Sequence, residues 1–226
     1  AIEDVIAGAA NQAGEDNRNV ARMAALLAGL PVTVPGNTVN RLCASGLQAI
    51  MDGARQIMCG DAEMIIACGV ESMTRAPFVI GKSETAFDRS SEMFDTTMGW
   101  RFINKNLSAL HYPFGMGETA ENVAKQWKIG REEQDEFAFN SQQKYAAAKA
   151  ANKWDDEIAA VELNNKGMIS WIVYDEHPRA TSLEKLGTLK PAFIKNGTVT
   201  AGNSSGINDG SAAMLLASEE AVKKYN

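Results

Sequence analysis

A cysteine set among small residues is the first group in this sequence that could act as a nucleophile. Cys43 falls in Asn40-Arg41-Leu42-Cys43-Ala44-Ser45-Gly46, ahead of a stretch where Leu47, Ile50, Met51, Ala54 and Met58 recur at steps of three or four. That spacing predicts a helix. Cys43 then sits at its N-terminus, where unpaired backbone N–H groups and the helix dipole favour an anion. The thiolate is the reactive form of cysteine, and Ala44, Ser45 and Gly46 leave room for a substrate to approach. The same residues also fit an inert cysteine buried in a core, the commoner state of a free thiol. Cys59 and Cys68 fall in apolar surroundings and are read as structural, and His111 and His177 stand alone in loop-like stretches.

The elements around Cys43 alternate. Residues 2–9 read as a strand. Asn17 is placed to cap a helix running to Gly29, with Val20, Ala24 and Leu27 on one face. A β-branched arm over 31–42, broken by Pro35-Gly36, leads into the Cys43 helix. Met64–Val70 is a short continuous apolar run, the pattern of a strand covered on both faces. Strand, helix, strand, helix, strand predicts right-handed crossovers and a mostly parallel sheet.

After Met73 the character changes. Residues 74–113 are loop-rich, helices are expected over 118–128 and 131–151, and strand-like pieces follow at 158–163 and 168–174. This section reads as an insertion carried by an α/β core, giving expected domains 1–72, 73–187 and 188–226. Its charged runs, Glu132-Glu133 and Asp155-Asp156-Glu157, read as solvated faces. The core pattern resumes at Gly197–Gly210 and the apolar run 211–217. Small residues there allow a ligand to approach the backbone closely, although Asn208-Asp209-Gly210 is also ordinary turn chemistry.

Composition narrows the classes of function. The net charge is −6 with no basic block, which argues against nucleic acid and anionic membrane surfaces. No apolar run approaches 18 residues, and no signal pattern opens the chain, so neither membrane insertion nor export is expected. Three cysteines without a C-x-x-C, and two histidines, make a disulfide framework or a metal site unexpected. A reducing, cytoplasmic setting is the expectation. The chain opens in strand-like sequence without Met and closes in a helical stretch, which reads as a piece of a longer polypeptide.

Five stretches, taken in order, resemble the thiolase family of acyl-CoA C-acetyltransferases. They are Val39–Gly46, Gly69–Met73, Met116–Asn122, Leu189–Phe193 and Gly197–Gly210. The stretches Asn11–Val20 and Phe114–Gly117 look most like its β-ketoadipyl-CoA thiolase branch, which serves the breakdown of aromatic compounds. The resemblance implies a layered α/β/α core with a mostly parallel mixed sheet and an inserted α+β loop domain, incomplete in this chain. It implies that Cys43 attacks a 3-ketoacyl-CoA and becomes acylated, with its backbone N–H helping to form an oxyanion hole. Coenzyme A then takes the acyl group in a ping-pong second half-reaction, as a co-substrate and not a bound cofactor.

By the same matching, Met116, Ala201 and Ser205 would line the pantetheine arm of coenzyme A, and Arg179 would contact coenzyme A. Gly115 stands where many family members carry His. A homo-oligomer, dimer or tetramer, is implied as well. The family's activating histidine, its N-E-A-F motif and its second cysteine have no match here, so the chain by itself is expected not to complete a turnover. A biosynthetic acetoacetyl-CoA thiolase and a non-catalytic coenzyme A-binding or oligomerisation module are the alternative readings.

Overall fold

The computed structural model describes residues 2–12 and 14–225. Ala13, inside the stretch 11–20 singled out above, and the two terminal residues lie outside the described residues. In chain order the elements are β1 (Asp4–Gly8), α1 (Val20–Leu27), β2 (Gly36–Val39), α2 (Ser45–Cys59) and β3 (Met64–Glu71). Next come β4 (Phe78–Ile80), β5 (Met93–Asp95), α3 (Lys105–Leu110), α4 (Met116–Trp127) and α5 (Arg131–Ala150). The last are β6 (Val161–Asn165), β7 (Met168–Ile172), α6 (Leu183–Gly187), β8 (Gly210–Ala217) and α7 (Glu219–Tyr225). The chain forms two compact units, residues 1–109 with 207–226, and residues 110–206.

The first unit is built on a four-stranded sheet in the order β2-β1-β3-β8. β1 pairs in parallel with both β2 and β3, as the alternation predicts, and β8 joins β3 antiparallel, so the sheet is mixed and mostly parallel, as the resemblance implies. Successive strand residues point to opposite faces. Val5 and Ala7 of β1 pack with Ala21 and Ala25 of α1, while Ile6 packs with Ala49 of α2 and Ile65 of β3. The two helices therefore cover opposite faces, which is the layered arrangement expected.

Local readings of both helices need correction. Asn19 caps α1, its Oδ1 accepting the Arg22 N–H at 3.2 Å, and Thr38 and Gly36 of β2 bind the same side chain. Asn17 sits instead in a left-handed turn with Arg18, at φ 48° and 72°. The buried stripe of α1 is Ala21 and Ala25, whereas Leu27 is 89% exposed. In α2 the buried residues are Ser45, Ala49 and Gly53, while Met58 is 85% exposed and Cys59 is exposed, not packed. Small residues fill the fully buried positions because these helices lie close on the sheet; Val20 and Ile57 pack at the margins of the two clusters, and Leu27 and Met58 point away.

Gly8 shows how close that approach is. A Cβ placed there would lie 2.3 Å from the Ser45 carbonyl carbon and 2.4 Å from the Gly46 nitrogen, both backbone atoms at the head of α2. Only glycine lets the end of β1 carry the turn that presents Cys43. Gly8→Ala should force the helix start outward and cost about 1–3 kcal/mol of stability. Urea denaturation of the two proteins measures it, and an unchanged midpoint would show that the contact is not rigid.

In the second unit, β6 and β7 form a hairpin closed by Lys166-Gly167, both at positive φ, the geometry of a tight two-residue hairpin turn. Residues 190–200 fold back on themselves through a Pro191–Thr200 bridge. Residues 74–109 fall in the sheet unit and residues 110–206 in the other. Residues 74–109 bind the sheet unit through Thr74–Asp209, Arg75–Glu15 and Thr96–Asn11 hydrogen bonds. Residues 188–206 belong with α4 and α5.

Candidate functional site

Cys43 stands one residue outside the turn that starts α2, and its thiol is exposed. Leu42 holds a left-handed conformation, φ 51°, which is costly for a residue with a branched side chain. The turn is over-determined by hydrogen bonds. The Ser45 hydroxyl donates to the Leu42 carbonyl at 2.6 Å and accepts the Arg41 N–H at 2.8 Å. Asn40 accepts the Leu42 N–H at 2.9 Å and donates to the Ala10 carbonyl at 2.9 Å. The Ala44 and Ser45 N–H groups reach back to Arg41 and Leu42. A side chain presented on a strained strand-to-helix turn fixed in this way is already positioned before any reaction partner arrives.

Cys43 lines a cavity of about 740 Å³ that lies within the sheet unit. Gly8, Gly46 and Gly69 form part of its wall beside the thiol, and Ala212 and Ala213 of β8 form another part. Cys68 reaches the same cavity, but it packs with the α1 face of the sheet and burial pushes its thiol pKa up. That burial leaves less of Cys68 in the reactive thiolate form than an ordinary cysteine has.

The wall of the same cavity also carries a polar frame that sequence reasoning missed. The Glu71 carboxylate accepts the Ala10 N–H at 2.8 Å and the Asn11 N–H at 3.1 Å. Asn11 donates to the carbonyl and the hydroxyl of Thr96, at 3.2 and 3.1 Å, and accepts from Arg101 at 3.4 Å. Glu71 and Asn11 fell inside stretches already quoted for the resemblance, so a signal existed for them. Thr96 and Arg101 come from the aperiodic segment 74–113, where spacing gave none.

The other residues singled out from the sequence all lie in the second unit. Met116 is the first residue of α4, and its side chain is 72% exposed. Gly115 precedes it and is capped by Glu118, whose carboxylate accepts the Gly115 N–H at 2.9 Å. Ala201 and Ser205 are exposed on a loop that hangs from α4 by the buried Glu121 carboxylate. Arg179 is exposed beside α5, where its N–H donates to Gln142 Oε1 at 3.0 Å. Met116 and the Ala201–Ser205 loop therefore share the α4 scaffold, and Arg179 is held by a different helix.

Buried polar groups fix that loop. Glu121 accepts the Thr198 N–H and hydroxyl and the Val199 N–H, at 2.8–3.0 Å. Burial works against its charge, but the Val199 and Thr198 N–H groups and the Thr198 hydroxyl outweigh it, and its pKa is lowered. Asp135 accepts from Arg131 at 2.7 Å and from Asn203 at 2.9 Å, and Asn203 also accepts the Thr200 N–H at 2.7 Å. Glu121 falls within the stretch Met116–Asn122 and Asp135 within the helix expected over 131–151, and neither carried a signal of its own.

Comparison with known proteins places these observations. The family model described as thiolase, N-terminal domain, matches residues 1–220. The chain is 59% identical over 226 residues to a β-ketoadipyl-CoA thiolase of Acinetobacter baylyi, covering 99% of this chain and 56% of that protein. It is 57% identical to the 3-oxoadipyl-CoA/3-oxo-5,6-dehydrosuberyl-CoA thiolase of Escherichia coli, covering 97% of this chain and 55% of that protein. The crystal structure of human mitochondrial 3-ketoacyl-CoA thiolase superposes with a TM-score of 0.84 at 40% identity, over 99% of this chain and 56% of that one. The chain spans about half the length of the curated relatives it matches.

Proposed function

The chain belongs to the thiolase family, through that family's N-terminal domain, and from this premise we propose that it supplies the nucleophile of a 3-ketoacyl-CoA thiolase acting on 3-oxoadipyl-CoA. The observation that carries the reading is Cys43, exposed at the head of α2 on the wall of the large cavity. Its sulfur attacks the C3 keto carbon of the substrate. The C2–C3 bond breaks, its electron pair stays on C2, and a proton there completes acetyl-CoA. The remaining acyl group stays on Cys43 as a thioester. The thiolate of a second coenzyme A then attacks that carbonyl, Cys43 leaves, and succinyl-CoA is released.

The backbone N–H of Cys43, at the positive end of α2, supports an oxyanion in both half-reactions. Met116, Ala201 and Ser205 are proposed to contact the pantetheine arm, and Arg179 coenzyme A itself. Coenzyme A is a co-substrate, and the mechanism uses no permanently bound cofactor. We read 73–187 as the inserted loop domain of the family, and the working protein as a cytoplasmic homo-oligomer, a dimer or tetramer. No helix among the described residues is long and apolar enough to cross a membrane.

The test is the mass of the full-length protein before and after incubation with 3-oxoadipyl-CoA without coenzyme A, followed by peptide mapping. One succinyl group on Cys43 is the expected result. Acylation at Cys59 or Cys68, or none, overturns the assignment.

A further inference from the structure

The wall of the Cys43 cavity carries one basic side chain, and the cleavage chemistry at Cys43 makes no use of it. Arg101 lines the cavity together with Cys43, and Glu71 is the acidic residue on the same wall. Glu71 does not neutralise it, because its carboxylate is taken by the backbone N–H groups of Ala10 and Asn11. Among the described residues Arg101 forms no ion pair. Its guanidinium makes one long hydrogen bond, 3.4 Å from Nη2 to Asn11 Oδ1. That partner is itself fixed by Thr96, which is buried and donates its hydroxyl proton to the Pro77 carbonyl at 2.7 Å.

The result is a half-buried guanidinium set beside a hydrogen-bonded frame, with most of its five donors unspent. Such a group recognises a planar carboxylate through two parallel hydrogen bonds. Most of the remaining cavity wall is alanine, glycine and other apolar residues, and its few serine and threonine hydroxyls offer a charged chain end no second cation.

We propose that Arg101 selects acyl groups that end in a carboxylate, binding that carboxylate while the thioester carbonyl lies at Cys43. The inference rests on the reading of Cys43 as acyl acceptor. The group that 3-oxoadipyl-CoA leaves on Cys43 has two methylenes between the thioester carbonyl and its free carboxylate. It is short enough for both ends to lie in one cavity of about 740 Å³.

The experiment compares kcat/KM of the full-length protein and its Arg101→Gln and Arg101→Lys variants on two substrates of equal chain length. One is 3-oxoadipyl-CoA, and the other is the uncharged 3-oxohexanoyl-CoA. For Arg101→Gln the diacid substrate should lose about 10–100-fold while the uncharged one stays within about threefold. Arg101→Lys should lose less on the diacid, because it keeps the charge without the planar fork. Equal loss on both substrates would assign Arg101 to the shared coenzyme A moiety or to the fold, and an unchanged preference would leave it without a part in selection. Either result overturns the proposal while cleavage by wild type still supports the thiolase reading. Wild type that acylates Cys43 with neither substrate overturns both.

Discussion

In the full-length protein, Cys43→Ala should reduce 3-ketoacyl-CoA cleavage by at least about 1,000-fold while leaving the fold intact. The size follows from the chemistry. Without the sulfur no acyl-enzyme forms, and the reaction must find a direct route that the site was not built for. Stability should hold because the turn does not depend on the thiol. Its geometry is fixed by Ser45, Asn40 and the backbone of Arg41 and Leu42, and the Cys43 side chain is exposed. The urea midpoint should therefore move by no more than an exposed substitution does, about 0.5 kcal/mol. Cys43→Ser gives a second view, since it keeps the shape but replaces the thiolate with a weaker, un-ionised hydroxyl. A Cys43→Ala protein that cleaves substrate within tenfold of wild type would remove Cys43 from the reaction.

How much of this was legible in the sequence depends on the kind of interaction. The strand-helix alternation and the continuous run Met64–Val70 specify the parallel part of the sheet, β2-β1-β3, through local periodicity, whereas the antiparallel edge β8 comes from a distant part of the chain. The place of Cys43 before α2 was legible for the same reason. Helix faces were not. The sequence pattern ranks residues by hydrophobicity, but contact with the sheet selects for size, and Ala49 and Gly53 displaced Leu47 and Met58 from the buried stripe. The helix cap moved from Asn17 to Asn19 because Gly36 and Thr38, seventeen and nineteen residues along the chain from Asn19, bind the latter. Arg101 and Thr96 reach the cavity from a segment without periodicity, and only tertiary folding brings them to Asn11.

Glu121→Gln should destabilise the second unit by about 3 kcal/mol at neutral pH, and the deficit should shrink in acid. One buried carboxylate receives three donors here, the N–H groups of Thr198 and Val199 and the Thr198 hydroxyl. Hydrogen bonds to a charged, buried acceptor are the strong ones, and an amide in its place turns an NH2 group toward donors it cannot satisfy. The folded protein holds the Glu121 pKa below its ordinary value despite burial. The charge therefore contributes stability above the unfolded carboxylate value, and that contribution is lost as pH falls through the lower folded value. Once Glu121 is protonated, wild type and Gln variant carry the same charge at this position, and their urea midpoints should converge. A gap that stays constant from pH 7 to pH 3 would assign the effect to packing alone. The same substitution should loosen the loop that bears Ala201 and Ser205, raising KM for coenzyme A in the full-length protein more than it lowers kcat. If KM is untouched while the midpoint falls, the carboxylate supports the fold of α4 and 197–200 without setting the loop that follows.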